Sequence, residues 1–246
     1  MGKMKFVSKI LPSWLLKIMG LVSGLLYRVK SFSQYGEDLV VENFIKQRGI
    51  KSGVYLDIGG FHPVWISNTK RLHDAGWSGH VVDIDPWKLW AFRLIRGRRC
   101  QTHLGAVGSD VSRHGKPVKV FRFKRMLSEI DTLSLSDATK YRDEWGYEFR
   151  EDTVPFLDIS VLVREVGKVD VINIDIEGLD QLVLRAIDLR KLAPVIVVFE
   201  DNDCWGGSRE TRAFLESNGY ERLFVTGGSV GYARKDLTEL PTWSEA

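Results

Sequence analysis

The stretch VYLDIGGFHP, residues 54 to 63, reads as a strand that is apolar on both faces and stops at an acid followed by two glycines. Near-continuous apolarity over so short a run marks a strand of a parallel sheet covered by helices on both sides. Asp57 and the pair Gly59-Gly60 then let the backbone turn sharply and approach a ligand that a Cβ would hold off. The glycine fingerprint of dinucleotide sites is not met, because no third glycine stands at the required offset.

Working outward, the same kind of run recurs, giving strands at 53–58, 80–84, 101–107, 169–175 and 195–200. Helical stretches with their own punctuation lie between and after them. Ser67 opens and Gly76 closes one, Asp85-Pro86 opens and Gly97 closes the next, 177–191 follows the fourth strand, and Ser208 opens and Gly219 closes the last. Two β-type runs, 220–226 and 230–234, end the pattern around Gly227-Gly228-Ser229 and predict a hairpin. The expected fold is α/β: a doubly wound, mainly parallel sheet with a C-terminal antiparallel hairpin. Residues 111–152 break the rhythm with a basic stretch and then an acidic, aromatic one, and predict an insertion over the sheet's carboxyl edge.

The chain has 246 residues, 44% hydrophobic and 27% charged, enough for one sizeable core. Its net charge of +3 is unevenly placed, for residues 1–30 hold six Lys or Arg and no acid. Removing those six from 35 basic residues leaves 29 against 32 acidic ones, so the body carries about −3 and gives no basis for nucleic-acid binding. Within residues 1–30, Phe6, Ile10, Trp14, Ile18, Val22 and Leu25 form an apolar stripe opposite Lys9 and Lys17. Pro12 and Lys17 interrupt the run, so the expectation is an interfacial helix on an anionic membrane surface rather than a spanning one. The alternative is a helix packed on its own domain or on a second subunit. The expected division is therefore a basic amphipathic helix over 1–30 and a catalytic domain over 31–246, with a homodimer left open. Cys100 and Cys204 can form no disulfide framework, which points to a reducing, cytoplasmic setting at the inner face of the membrane.

Ligands of open α/β sheets bind beyond the carboxyl ends of the strands. Asp57, Gly59 and Gly60 stand there after the first strand and Asp85 after the second, where a carboxylate can hold both hydroxyls of a ribose; Asp85 before Pro86 is equally suited to cap a helix. The fourth and fifth strands bring Asp175, Glu200 and Asp201 to the same edge. Such a cluster is costly without a compensating cation, and either Mg²⁺ on Asp175, Glu200 and Asp201 or a cationic sulfonium would supply one. Glu177 suits the first turn of a helix, Asp180 a solvated helix face, and His62 either catalysis or the bracing of the Pro63 turn.

In order along the chain, FSQYGEDL (32–39), YLDIGGFHP (55–63), SNTKRLHDAGW (67–77), Asp85-Pro86, Ala106-Val107-Gly108, DTLS (131–134), NIDIEGLDQLVLRAID (173–188) and VVFED resemble the FkbM family of S-adenosylmethionine-dependent methyltransferases. Gly60 stands where many members have Ala, and Asn173 where many have Lys. The resemblance implies the Rossmann-like class I methyltransferase sheet, S-adenosylmethionine at Asp57, Gly59, Gly60, Asp85 and Ala106, and O-methylation of a sugar hydroxyl on a cell-surface or lipid-linked glycan or a natural product. A hydroxyl is a weak nucleophile at neutral pH, so a base or a metal is needed, and Asp175 and His62 are the candidates for base. Two other functions compete: a dinucleotide-dependent sugar oxidoreductase or epimerase, and a membrane-recruited binding module without activity.

Overall fold

Asp85-Pro86 and Gly97 bound their helix as the sequence predicts: the Asp85 carboxylate accepts from the N–H of Trp87 and Gly97 ends the last turn. The structure is a computed structural model that describes residues 31–124, 128, 130–176, 178–201 and 207–238. The basic segment 1–30, Glu177 and Cys204 lie outside the described residues. The elements in chain order are α1 (Glu37–Gln47), β1 (Val54–Ile58), α2 (Lys70–Asp74), β2 (Ser78–Asp83), α3 (Pro86–Arg96), β3 (Cys100–Leu104), β4 (Ala106–Gly108), β5 (Pro117–Phe123), α4 (Leu135–Trp145), β6 (Phe149–Asp158) and α5 (Ile159–Val166). They continue as β7 (Val171–Ile174), α6 (Asp180–Arg185), α7 (Leu189–Leu192), β8 (Ile196–Glu200), α8 (Arg209–Ser217), β9 (Tyr220–Val225), β10 (Ser229–Arg234) and α9 (Lys235–Thr238).

The main sheet has the order β3-β2-β1-β7-β8-β10-β9. Its first five strands are parallel, while β10 runs antiparallel to both β8 and β9. The chain winds outward from β1 to β3 and then returns to β7 on the other side of β1, so the order of winding reverses between β1 and β7. Alternate residues of each strand feed opposite layers. Leu56, Ile58, Ile172 and Val197 pack with Leu162, Val183, Leu184 and Leu215 on one face. Tyr55, Val81, Val171 and Val198 pack with Val41, Ile45, Leu72, Leu89 and Phe92 on the other.

Three expectations are corrected. The run 101–107 is two strands, because the chain bends at Gly105 and β4 joins β6 and β5 in a separate sheet. A Cβ on Gly105 would lie 2.5 Å from Cγ of Leu157 in β6, so only glycine allows this approach. The helix read over 177–191 is two short ones, with Asp188 capping the second through the N–H of Lys191. The helix opened by Ser67 starts at Lys70, since residues 67–69 serve the hydrogen-bond network described below. Residues 111–152 form β5, α4 and the first part of β6.

Candidate functional site

At the point where the winding reverses, β1 and β7 end side by side, with Ile58 opposite Ile174. The chain leaves β1 through Gly59, which has φ +85° and donates its N–H to the carbonyl of Val82 at 2.8 Å. The N–H of Asp175 in turn binds the carbonyl of Ile58 at 2.8 Å. Beyond these strand ends lies a cavity of about 440 Å³, within the range of small-molecule sites. Gly59, Asp83, Ala106, Asp131, Asp175 and Glu200 are among its lining residues. Thr132, Leu133, Ser134 and Asp137, from the 111–152 stretch, also line it.

The acid that β2 delivers to this cavity is Asp83, which the sequence reading passed over. Its side chain is buried, accepts from the N–H of Asp85 at 2.6 Å and receives the Lys88 ammonium at 3.3 Å. Burial pushes the Asp83 carboxyl up, against the pull of Lys88 and of the Asp85 N–H. Burial works against the Lys88 ammonium too, but Asp83, Asp131 and Asp85 outweigh it and the net direction is upward. A carboxylate with two neighbours retains lone pairs for two more donors. Asp85, expected on the ribose, caps α3 through the Trp87 N–H at 2.8 Å and sits 3.9 Å from Nη1 of Arg122. It lines an adjoining cavity of about 300 Å³, together with Trp87, Arg122, Lys124, Phe149 and Arg150. Asp131 belongs to both cavities.

Asp57 lies at the end of β1 but is spent inside the protein. Its carboxylate accepts from the Thr69 hydroxyl and from Nδ2 of Asn173 at 2.9 Å, and Asn173 accepts from Asn68 at 2.9 Å. Arg96 closes the network on Thr69, Ser67 and the carbonyl of Pro63. The SNT run and Asn173 thus bind the first helical turn to the sheet at the cavity's edge. Asp57 also borders an annex of about 60 Å³ that shares Gln34, Gly59, Asp175 and Glu200 with the main cavity. Gly60 lines the annex, and a Cβ there would lie 2.4 Å from Cγ1 of Val81.

His62 is corrected from base to brace. It is 1% exposed, and Nδ1 accepts the N–H groups of Val64 at 3.1 Å and Trp65 at 3.2 Å. Burial, aided by the charge of Arg96, lowers its pKa to about 3. The nitrogen lone pair a base needs is therefore occupied, and the ring is absent from the cavity lining.

The carboxylates of Asp175, Asp180 and Glu200 come within 4.8 Å of one another. Asp201 does not join them, because its carboxylate holds the N–H of Gly207 at 2.8 Å. Asp180 is not the solvated residue expected: it is buried and accepts from the N–H groups of Ile176 and Gly178, each at 3.0 Å. Asp175 and Glu200 are the acids at this end of the cavity that the sequence had already singled out. Among the described residues, no helix is long and apolar enough to cross a membrane.

Residues 57–222 match the methyltransferase FkbM domain. Magnesium protoporphyrin IX methyltransferase from Synechocystis PCC 6803, solved with bound SAM, is 13% identical over 80% of this chain and 77% of its own, with a TM-score of 0.38. A SAM-dependent methyltransferase from Aquifex aeolicus is 11% identical over 91% of this chain and 98% of its own, with a TM-score of 0.41. A TehB-like SAM-dependent methyltransferase from Corynebacterium glutamicum ATCC 13032 Kitasato is 13% identical over 82% and 88%, with a TM-score of 0.40. No curated protein matches the chain. With more than half of its length matched, and a parallel sheet closed by an antiparallel hairpin, the chain belongs to the FkbM methyltransferase family and is an S-adenosylmethionine-dependent methyltransferase.

Proposed function

We propose that the protein methylates a hydroxyl group of a sugar. The observation that carries this reading is the order of three residues along adjacent strand ends: Asp83 ending β2, Gly59 after β1 and Asp175 after β7, all on one cavity. The donor supplies an electrophilic methyl group on a sulfonium. Gly59 lines the cavity at the left-handed turn after β1, and the donor's amino-acid portion is placed against this turn; the room its missing Cβ leaves is taken by the carbonyl of Asp175 and not by the donor. Asp83 accepts from the ribose hydroxyls with the lone pairs left over from Asp85 and Lys88. Ala106 and Val107 form an apolar wall for the base.

Asp175 at the far end accepts the proton of the acceptor hydroxyl as it becomes a nucleophile. The annex beside it has Gln34, Glu37, Asn68, Asp175, Glu200 and Ser229 in its wall, and no Lys or Arg among the described residues. Such a wall pairs with neutral hydroxyl groups and repels phosphate or carboxylate, which supports an uncharged sugar ring as acceptor. The grouping of Asp175, Asp180 and Glu200 allows a second route, in which Asp175 and Glu200 would hold Mg²⁺ and the ion would supply the lowering of the hydroxyl pKa. Turnover in EDTA separates the two routes. For location, the proposal keeps residues 1–30 on the anionic inner face of the membrane, where a lipid-linked glycan would be the acceptor. Transfer of radiolabelled methyl to neutral and uronate-bearing oligosaccharides tests the reading; label on the neutral ones alone supports it, and label on neither contradicts it.

A further inference from the structure

We infer that the exposed face of α3 is a second membrane-docking surface, seated on the folded domain itself and fitted to an anionic bilayer. This inference does not depend on which acceptor is methylated.

The helix PWKLWAFRLIR turns Lys88, Leu89, Phe92 and Arg96 into the protein. Its opposite face carries Trp87, Trp90 and Leu94, spaced i, i+3 and i+7, which puts them on one stripe. They are 39%, 39% and 64% exposed, and the two indoles meet edge to face at 6.1 Å. Single exposed apolar residues are ordinary, but a continuous stripe containing two tryptophans marks an interaction surface. Indole is suited to the boundary between headgroups and acyl chains, because an apolar ring there carries one polar N–H.

Charge decides among the surfaces such a stripe could meet. From Pro86 to Ser109 the chain has no acid and holds Lys88, Arg93, Arg96, Arg98 and Arg99. Arg93, Arg98 and Arg99 are exposed. Arg93 donates to the hydroxyl of Thr102 and Arg99 to the carbonyls of His73 and Trp77, and no carboxylate neutralises the three arginines among the described residues. Behind Trp87 lies the 300 Å³ cavity, where Lys124, Arg150 and buried Arg122 stand with Asp85, Asp131 and Glu148. These six charges balance, and Nε of Arg122 is paired with Asp152 at 2.8 Å, so the cavity adds no net charge to the face. Nη1 of Arg122, in a residue 6% exposed, has no hydrogen-bond partner among the described residues. The cationic character of the face thus rests on Arg93, Arg98 and Arg99, although the body of the chain is net acidic.

That charge argues against the two occupants nearest to hand. Residues 1–30 bring six more cations and no acid, so they are repelled by this face rather than drawn onto it. A second copy docking symmetrically would set the same arginines against one another. An anionic bilayer satisfies both the arginines and the tryptophans, and it would turn the domain so that α3 and the N-terminal segment share one membrane surface.

The test uses the full-length protein and phosphatidylcholine vesicles with and without phosphatidylglycerol. The double variant Trp90→Ala, Leu94→Ala is expected to lower partitioning onto the anionic vesicles about ten-fold at low salt, with an unchanged unfolding midpoint. The double variant Arg93→Gln, Arg98→Gln is expected to weaken it as well and to flatten its salt dependence. Leu182→Ala, at a residue 48% exposed on α6, is the control and should change nothing. Parent-like partitioning by Trp90→Ala, Leu94→Ala would assign all binding to residues 1–30 and overturn the inference. So would a parent that ignores the vesicles, or a parent dimer in sedimentation that this variant dissociates.

Discussion

A Cβ placed on Gly59 would lie 1.7 Å from the carbonyl oxygen of Asp175, so the turn after β1 and the exit of β7 fit together only through a residue without a side chain. The pairing matters because it puts the turn proposed to meet the donor and the proposed base on one rigid edge. It also fixes the distance between them without any flexible side chain.

Replacing Gly59 by Ala should therefore be severe. The left-handed φ costs about 1 to 2 kcal/mol for any other residue, and overpacking against backbone adds about as much again. A loss of roughly 3 kcal/mol in urea unfolding is expected. Gly60→Ala, which presses on a Val81 methyl rather than on backbone, should cost less. Equal stability of Gly59→Ala and the parent would show that the two strand ends can move apart.

The two acids after β2 should separate by what they lose. Asp83→Asn is expected to weaken S-adenosylhomocysteine binding by about 1 to 3 kcal/mol, through weaker bonds to the ribose hydroxyls. Asp85→Ala should instead lower stability by about 1 kcal/mol, the worth of a helix cap. Calorimetry and urea unfolding on both variants check this, and a reversed pattern would return the ribose to Asp85.

Asp175→Asn keeps the side chain's shape while removing its basicity. Turnover should fall by at least about a hundred-fold, the usual contribution of a positioned base, with donor affinity held within a few-fold. Near-parental turnover would exclude Asp175 as the proton acceptor.

Acid should destabilise the fold through its buried histidines. His62 takes up a proton near pH 6.5 when unfolded but only near pH 3 when folded. Between those values unfolding binds a proton, so stability falls as pH falls, by up to about 1.4 kcal/mol per pH unit for this one group. Burial lowers the pKa of His73 in the same sense, to about 4. Urea unfolding at pH 7.5 and pH 5 should show the loss, and His62→Gln should reduce it. A flat profile would mean that the ring is not held neutral.

Much of this architecture was written in local signals. The turn glycines, the Asp85-Pro86 cap and the terminal hairpin each depend on residues within a few positions of one another, and each appears where the sequence puts it. What stayed illegible depends on partners far along the chain. Asp83 and Asp85 are two residues apart, so strand alternation cannot say which borders which space; the folded chain sets Asp83 on the larger cavity beside Lys88 and Asp85 on the adjoining one beside Arg122. Nothing local shows that Asp57 is tied to Asn173, 116 residues away, or that two backbone N–H groups occupy Nδ1 of His62. Asp180 sat in a polar helical pattern, yet the loop before it folds back onto its carboxylate.

The most direct test of the account is a calorimetric titration of the full-length protein with S-adenosylhomocysteine, run beside one with NAD. The cavity built on Asp83, Gly59 and Asp175 predicts saturable one-to-one binding of S-adenosylhomocysteine, weakened in Asp83→Asn and preserved in Asp175→Asn, and no heat from NAD. Saturable binding of NAD, or S-adenosylhomocysteine affinity indifferent to Asp83, would contradict it.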